Sequence, residues 1–318
     1  MRFLICSDGM PAADNATRIG GMLAAACRAE TTLLGIAERP IDEQPLREAV
    51  EAQAQLLRKD GITPRIVIGS GDPVREILRE TSAQHYDIVV IGSRRRRTTG
   101  LYWRSQKTYE VIKAIPSPVL VATGECAQLK RFLVCTGGKR FIDQALELTG
   151  KLAAAAGATV TLLHVMAEPP AIYADLARLE LDVDRLLTSD SELGINLRRQ
   201  KEKLEKLGVR AEVRLRQGSV VDQVLEEVHE GNHDLIVTGS SPARGLVSHY
   251  IMGELTRSIL NHADRPVLVA RSGAAASSGS WLAACKHWFG ARAAGAGAGA
   301  PAGDAATAAT SRSLSDRA

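Results

Sequence analysis

The chain repeats its own sequence. Three segments of the second half match three segments of the first half, in the same order and at similar spacing. The matching pairs are "MRFLICSDG" (1–9) with "KRFLVCTGG" (130–138), "QHYDIVVIGS" (84–93) with "GNHDLIVTGS" (231–240), and "PSPVLVA" (116–122) with "DRPVLVA" (264–270). Because such self-similarity indicates a duplicated structural unit, we expect two domains in tandem, named here the first repeat (residues 1–125) and the second repeat (residues 129–272).

Each repeat alternates short β-branched segments with helical patterns. Alternation of this kind is typical of βαβ units, in which the strands run parallel. We therefore expect an α/β fold with two tandem open parallel five-stranded sheets flanked by helices, of the Rossmann-like type. The expected strands lie near 2–7, 31–37, 63–68, 86–92 and 117–122, and then near 131–136, 158–165, 209–215, 233–239 and 265–270. In addition, "SDSE" at 189–192 predicts a helix start capped by Ser189, with Glu192 completing a capping box.

Composition narrows the class of protein. Aromatic residues make up 4% of the chain and apolar residues 45%, which favours aliphatic cores between parallel strands and helices. The net charge of +4 is too small to indicate a nucleic-acid-binding protein. The five cysteines form no CxxC pair and the histidines show no metal-ligand spacing, so we expect reduced thiols. The absence of a signal-peptide pattern and of a long apolar run predicts a soluble, cytoplasmic protein.

A low-complexity tail follows the second repeat. Residues 273–318 are dominated by Ala, Gly, Ser and Thr, and such a composition predicts disorder because it offers little apolar surface to bury. Within it, residues 281–292 place two tryptophans and a phenylalanine on one face of a predicted amphipathic helix. This helix has two alternative interpretations: it binds a protein partner or a membrane surface, or it docks on the protein's own surface.

Three end motifs suggest a known family. "LICSDG" before an Ala-rich helix, "DIVVIGS" before a glycine-spaced loop, and "RPVLVA" near the end of the second unit resemble the universal stress protein family in its tandem form. The resemblance covers about 270 residues and excludes the tail. It implies the adenine nucleotide alpha hydrolase-like fold and a stress-response regulator without catalytic residues. It also implies an intramolecular pseudo-dimer in contact through the fifth strands (117–122 and 265–270), and homodimers of the whole chain.

The same resemblance implies a ligand, ATP or AMP. Nucleotide-binding members carry an Asp after the first strand and a G-x2-G-x9-G-[S/T] loop after the fourth strand, where glycines let the backbone approach phosphates. In the second repeat Gly137 replaces the Asp, Pro242 replaces the second glycine, and Glu254 occupies the Ser/Thr position, from which it would hold Mg²⁺ together with the phosphates. The implied contacts there are Thr136, Val165, Gly239, Ser240, Gly253 and Glu254.

The first repeat departs from the motif differently. It keeps Ser7 and Asp8 after its first strand, but Arg94 and Arg95 follow its fourth strand where the loop should be glycine-rich. The run Arg94–Arg97 either binds an anion directly or is a solvated basic loop. A protein that binds no nucleotide and interacts through this loop and the tail helix is the alternative function. A slow ATPase is a further alternative, although the sequence shows no group to activate water.

Overall fold

The computed structural model describes residues 1–92, 106–124, 126–138, 143–166, 182–242, 250–251 and 253–271. Residues Met1–Ala275 form one compact unit. The predicted helix at 281–292 and the arginines at 94–97 lie outside the described residues.

The first repeat contains five strands and four helices among its described residues. Its strands are β1 (Arg2–Ser7), β2 (Glu30–Ala37), β3 (Arg65–Ser70), β4 (Ile88–Gly92) and β5 (Val119–Ala122). Its helices are α1 (Pro11–Ala26), α2 (Glu43–Lys59), α3 (Pro73–Ala83) and α4 (Gln106–Ala114), and a 3₁₀ turn at Pro40–Asp42 leads into α2.

Where the structure describes it, the second repeat follows the same order with one added short strand and one added short helix. Its strands are β6 (Arg131–Cys135), β7 (Thr159–Met166), β8 (Ala211–Gln217), β9 (Leu235–Pro242), β10 (Tyr250–Ile251) and β11 (Val267–Arg271). Its helices are α5 (Asp143–Ala156), α6 (Val183–Thr188), α7 (Glu192–Lys206), α8 (Val220–Glu230) and α9 (Glu254–His262).

The strand order confirms the predicted fold class. Five parallel strands run β3-β2-β1-β4-β5 in the first repeat and β8-β7-β6-β9-β11 in the second. The two sheets also join edge to edge, because β5 and β11 pair antiparallel with Leu120 opposite Leu268. The fifth strands therefore contact each other across the junction of the repeats, and β10 adds a short antiparallel pair to the end of β9.

The cores are aliphatic and equivalent in the two repeats. Phe3 and Ile5 of β1 are fully buried, as are Phe132 and Val134 at the same places in β6. Each such side chain contributes roughly 1.5–3 kcal/mol when removed from water. The helices cover the strands with buried leucines such as Leu57 of α2 and Leu204 of α7.

Equivalent polar residues perform the same structural task in both repeats. Asp87 accepts a hydrogen bond from the backbone N–H of Arg2 at 2.7 Å. Asp234 accepts bonds from the N–H groups of Lys130 and Arg131 at 2.8 and 2.9 Å. These carboxylates fix the start of the first strand against the start of the fourth strand in each unit.

The predicted cap of α7 is wrong by two residues. The helix begins at Glu192 and its cap is Ser191, whose side chain accepts from the N–H of Gly194. The hydroxyl of Ser189 donates instead to the carbonyl of Leu186 at the end of α6. Ser189 is therefore used by the preceding short helix, which the sequence pattern did not reveal.

Within the described part of the chain, none of the helices combines the length and apolar character that a membrane crossing requires.

Candidate functional site

The candidate site of the second repeat lies where β6 and β9 end side by side. β6 pairs with β7 on one side and with β9 on the other, so the strand order reverses between β6 and β9. Val134 lies opposite Val237, and continuing this register by two residues places Thr136 level with Gly239. Open α/β sheets bind ligands at such a switch point, beyond the carboxyl ends of the strands.

A short turn after β6 forms one wall of the site. The hydroxyl of Thr136 accepts from the N–H of Gly138 at 3.1 Å and donates to Gln200 of α7 at 2.9 Å. The amide nitrogen of Asn196, also on α7, donates to the carbonyl of Gly138 at 2.9 Å. Because both sides of the turn are held by α7, its backbone is fixed while Gly137 between them is exposed.

Gly137 marks a gap beside this turn. A Cβ atom at this position would meet no other atom within 4 Å. The carboxylate of Asp8 occupies the equivalent position in the first repeat. The second repeat therefore has room for a side chain, or for a ligand, at the place where the first repeat carries an acid.

The end of β7 adds Val165 and His164, both half-buried. The Nδ1 atom of His164 lies 2.9 Å from the carbonyl oxygen of Thr136. Since a carbonyl only accepts, this ring nitrogen carries the hydrogen. His164 thus supports the turn, in agreement with a structural role, and Val165 follows it in β7, opposite Arg216 of β8.

The end of β9 is tied to the start of α9. The hydroxyl of Thr256 lies 3.0 Å from the hydroxyl of Thr238 and donates to the carbonyl of Gly239 at 3.1 Å. Thr256 is buried in the first turn of α9. This pair of contacts holds the helix N-terminus close to Gly239.

Ser240 points away from this helix start. Its hydroxyl donates to the carbonyl of Ala270 in β11 at 3.2 Å and accepts from Arg271 at 2.9 Å. We therefore expect the backbone of Ser240, rather than its hydroxyl, to contact a ligand.

The N-terminus of α9 has no side-chain cap. Gly253 is the cap residue and is exposed, and a Cβ atom there would also meet nothing within 4 Å. Glu254 follows as the first helical residue and is exposed. The first N–H groups of a helix attract anions, whereas the negative charge of the Glu254 carboxylate repels an anion at the same place. Pro242, which replaces a motif glycine, lies in β9 opposite Tyr250 of β10.

The first repeat builds a related turn. The N–H of Gly9 donates to the buried hydroxyl of Ser7 at 3.1 Å, as Gly138 does to Thr136. The carboxylate of Asp8 accepts from the N–H of Met10 at 3.0 Å, at the start of α1. Arg94 and Arg95, the other two residues named for this repeat, lie outside the described residues.

Two cysteines lie near these turns and are chemically quiet. Burial raises the pKa of the Cys135 thiol to about 12, and burial, with the nearby charge of Glu80, raises the pKa of Cys6 as well. Because the thiolate is the reactive form, we expect both thiols to stay protonated at neutral pH. Among the described residues, no three His, Cys, Asp or Glu side chains gather to hold a metal ion.

Sequence reasoning missed two residues that shape the site. Thr256 and Gln200 were not predicted, yet both contact the residues that line it. A usable signal was present, because the first repeat has Thr108 and Gln53 at the equivalent positions and all four residues are buried.

Comparisons with known proteins agree on the fold. Residues 1–123 and 128–271 each match the model of the universal stress protein family. A universal stress protein from Archaeoglobus fulgidus DSM 4304 is 20% identical with a TM-score of 0.64, covering 86% of this chain and 98% of its own. A functionally unknown protein from Pseudomonas aeruginosa PAO1 is 14% identical with a TM-score of 0.61, over 85% and 92% of the two chains.

A shorter universal stress protein from Archaeoglobus fulgidus, solved in complex with dAMP, is 16% identical with a TM-score of 0.32 and covers 45% of this chain and 98% of its own. No curated protein matches the chain.

Proposed function

Because this chain belongs to the universal stress protein family in both of its repeats, we propose that it is a non-enzymatic stress-response regulator that binds an adenine nucleotide in its second repeat. The observation that carries the ligand proposal is the uncapped N-terminus of α9, which Thr256 holds against the end of β9 next to the open turn at Gly137.

The residues present fit the two ends of a mononucleotide. The nucleoside would lie against the turn at Thr136 and against Val165, in the space beside Gly137. The phosphate would lie over Gly239 and the backbone of Ser240, facing the first N–H groups of α9 at Gly253. Backbone donors at a helix start bind phosphate without a basic side chain.

The charge of Glu254 selects between nucleotides. Two like charges about 4 Å apart repel by roughly 4 kcal/mol at an effective dielectric of 20. Each added phosphate increases this repulsion, so AMP should bind better than metal-free ATP. Mg²⁺ binds through a carboxylate together with phosphate oxygens, and with the ion present Glu254 would become its ligand and ATP binding would strengthen.

The test is calorimetric titration of the full chain, freed of carried-over ligand, with AMP and with ATP in the presence and absence of Mg²⁺. Gly253→Glu adds a second carboxylate at the helix start and should abolish binding. Gly253→Ala separates size from charge, because it adds only a Cβ atom, in space that is open without ligand; it should weaken binding much less than Gly253→Glu.

Two results would refute the proposal. One is the absence of both a heat signal and a thermal shift with either nucleotide. The other is equal binding by Gly253→Glu and Gly253→Ala, which would place the ligand elsewhere. For a non-enzymatic protein, we expect the wild type to release phosphate from ATP no faster than the Gly253→Glu variant does.

A further inference from the structure

One buried arginine joins the two repeats. Arg271 is the last residue of β11 and is 7% exposed. Its Nη2 atom donates to the carbonyls of Ile112 and Ile115, each at 2.6 Å, and its Nε atom donates to the carbonyl of Ser117 at 3.1 Å. These three carbonyls belong to the first repeat, at and beyond the end of α4.

The position suits a cation. The carbonyls at the end of a helix lack partners within that helix and carry its negative dipole end. A guanidinium offers five donors in a fixed planar arrangement and stays charged when buried. Arg271 thus caps α4, although the two are more than 150 residues apart in sequence.

The same guanidinium also contacts the candidate site of the second repeat. Its Nη1 atom donates to the hydroxyl of Ser240 at 2.9 Å, and Ser240 follows Gly239 directly. One rigid planar group therefore fixes the end of α4 in one repeat and the residue after Gly239 in the other.

The arginine has no counterpart in the first repeat. The equivalent residue there is Thr123, which directly follows β5, whereas Arg271 is the last residue of β11. A threonine has no guanidinium, so it cannot reproduce these contacts at the other end of the junction. Arg271 therefore ties Ser240, in the repeat that keeps Gly239 and Gly253, across the junction.

We propose that Arg271 is a positioning residue for the end of β9 at Gly239 and Ser240, where the ligand of the second repeat is proposed to bind. It couples this strand end to α4 of the first repeat. Occupancy of the second repeat would then stiffen the end of α4, and changes at α4 would alter ligand affinity, because coupling between two sites is reciprocal. The effect on ligand binding rests on the proposed function, whereas the connection that Arg271 makes between α4 and Ser240 does not.

The first experiment uses the full chain without ligand. Amide hydrogen exchange is followed in residues 112–117 and 238–242. Arg271→Gln should speed exchange in both segments by roughly tenfold, since bonds to a charged donor are lost, and Arg271→Lys should restore part of the protection. Ser240→Ala, a mild change, should speed exchange in 238–242 alone.

Tyr109→Phe is the matched control at the same junction. The Tyr109 hydroxyl donates to Asn261 of α9, and its ring lies 5.3 Å from the Arg257 guanidinium, so this variant loses a contact between the repeats without touching Ser240. It should leave exchange in 238–242 unchanged. If Arg271→Gln affects only 112–117, or if Tyr109→Phe affects 238–242 equally, the inference is wrong.

The second experiment adds AMP. Binding to the wild type should slow exchange in 112–117, and Ser240→Ala should remove this effect while weakening AMP at least about fivefold. AMP binding with no change in 112–117 would overturn the coupling. If AMP does not bind the wild type at all, the proposed function fails, and the ligand-free exchange still decides whether Arg271 ties the two segments.

Discussion

Replacing Thr256 by valine tests how the candidate site is assembled. Valine has nearly the same shape as threonine, so the substitution leaves no cavity and removes only the hydroxyl. Two neutral hydrogen bonds are lost, one with Thr238 and one with the carbonyl of Gly239. At about 1 kcal/mol each, the free energy of unfolding should fall by about 2 kcal/mol.

This loss is measurable by urea denaturation. It corresponds to a drop in melting temperature of about 3–4 °C for a folded unit of this size. AMP affinity should also fall, because the start of α9 is no longer held at Gly239. If about 1.4 kcal/mol of the lost free energy is needed to hold the site in the conformation that binds AMP, affinity falls roughly tenfold.

Thr149→Val is the matched control. Thr149 is fully buried in α5, and its hydroxyl donates to the carbonyl of Ala145 within the same helix at 2.7 Å. Its loss should cost less than about 1 kcal/mol and leave AMP affinity unchanged. If Thr256→Val is as stable as the wild type, or if Thr149→Val weakens AMP equally, the hydroxyl of Thr256 does not assemble the site.

Three further predictions use other residues. Gly137→Asp should raise AMP affinity in the second repeat by about tenfold, the value of one bond to a charged acceptor, whereas Gly137→Ala should not, as calorimetry would show. Burial lowers the pKa of His233 below its ordinary 6.5, against the opposing effect of Glu227. Above pH 6.5 His233 is neutral in both the folded and the unfolded chain. Below pH 6.5 the unfolded chain takes up a proton first, so the free energy of unfolding decreases as the pH is lowered, by up to about 1.4 kcal/mol per pH unit. His233→Gln should flatten that slope in denaturation curves between pH 7 and 5, and an unchanged slope would contradict the assignment. Finally, Cys135 should resist a thiol reagent at pH 7.5 until the protein is unfolded, and rapid labelling of the native protein would show that the thiol is not shielded.

The fold was largely readable from sequence because the duplication repeats the same patterns. The exact ends of several strands could not be predicted as well. Asp234 was placed inside the fourth strand of the second repeat, but its carboxylate binds the N–H groups of Lys130 and Arg131, and the strand begins one residue later. At the other end β9 continues to Pro242 because β10 and β11 pair with it, and such pairing has no local signal.

The site could be predicted only in part, because contacts between distant segments also leave no local signal in the sequence. Glycines and threonines at strand ends could be named from their motifs. Arg271 could not be connected with Ser240, or with the carbonyls of Ile112 and Ile115, because these contacts arise only when β5 and β11 meet. A buried arginine at the end of an apolar strand is ambiguous until the partner across the junction is known.

The antiparallel pairing of β5 with β11 has a consequence for valency. The five main strands within each repeat are parallel, so their carboxyl ends share one edge. Because β5 and β11 run antiparallel at the junction, these two edges lie on opposite sides of the joined sheet. Ligand sites at these two edges would therefore open in opposite directions. A rigid bivalent ligand could not reach both sites of one molecule, and would instead link separate molecules in a row.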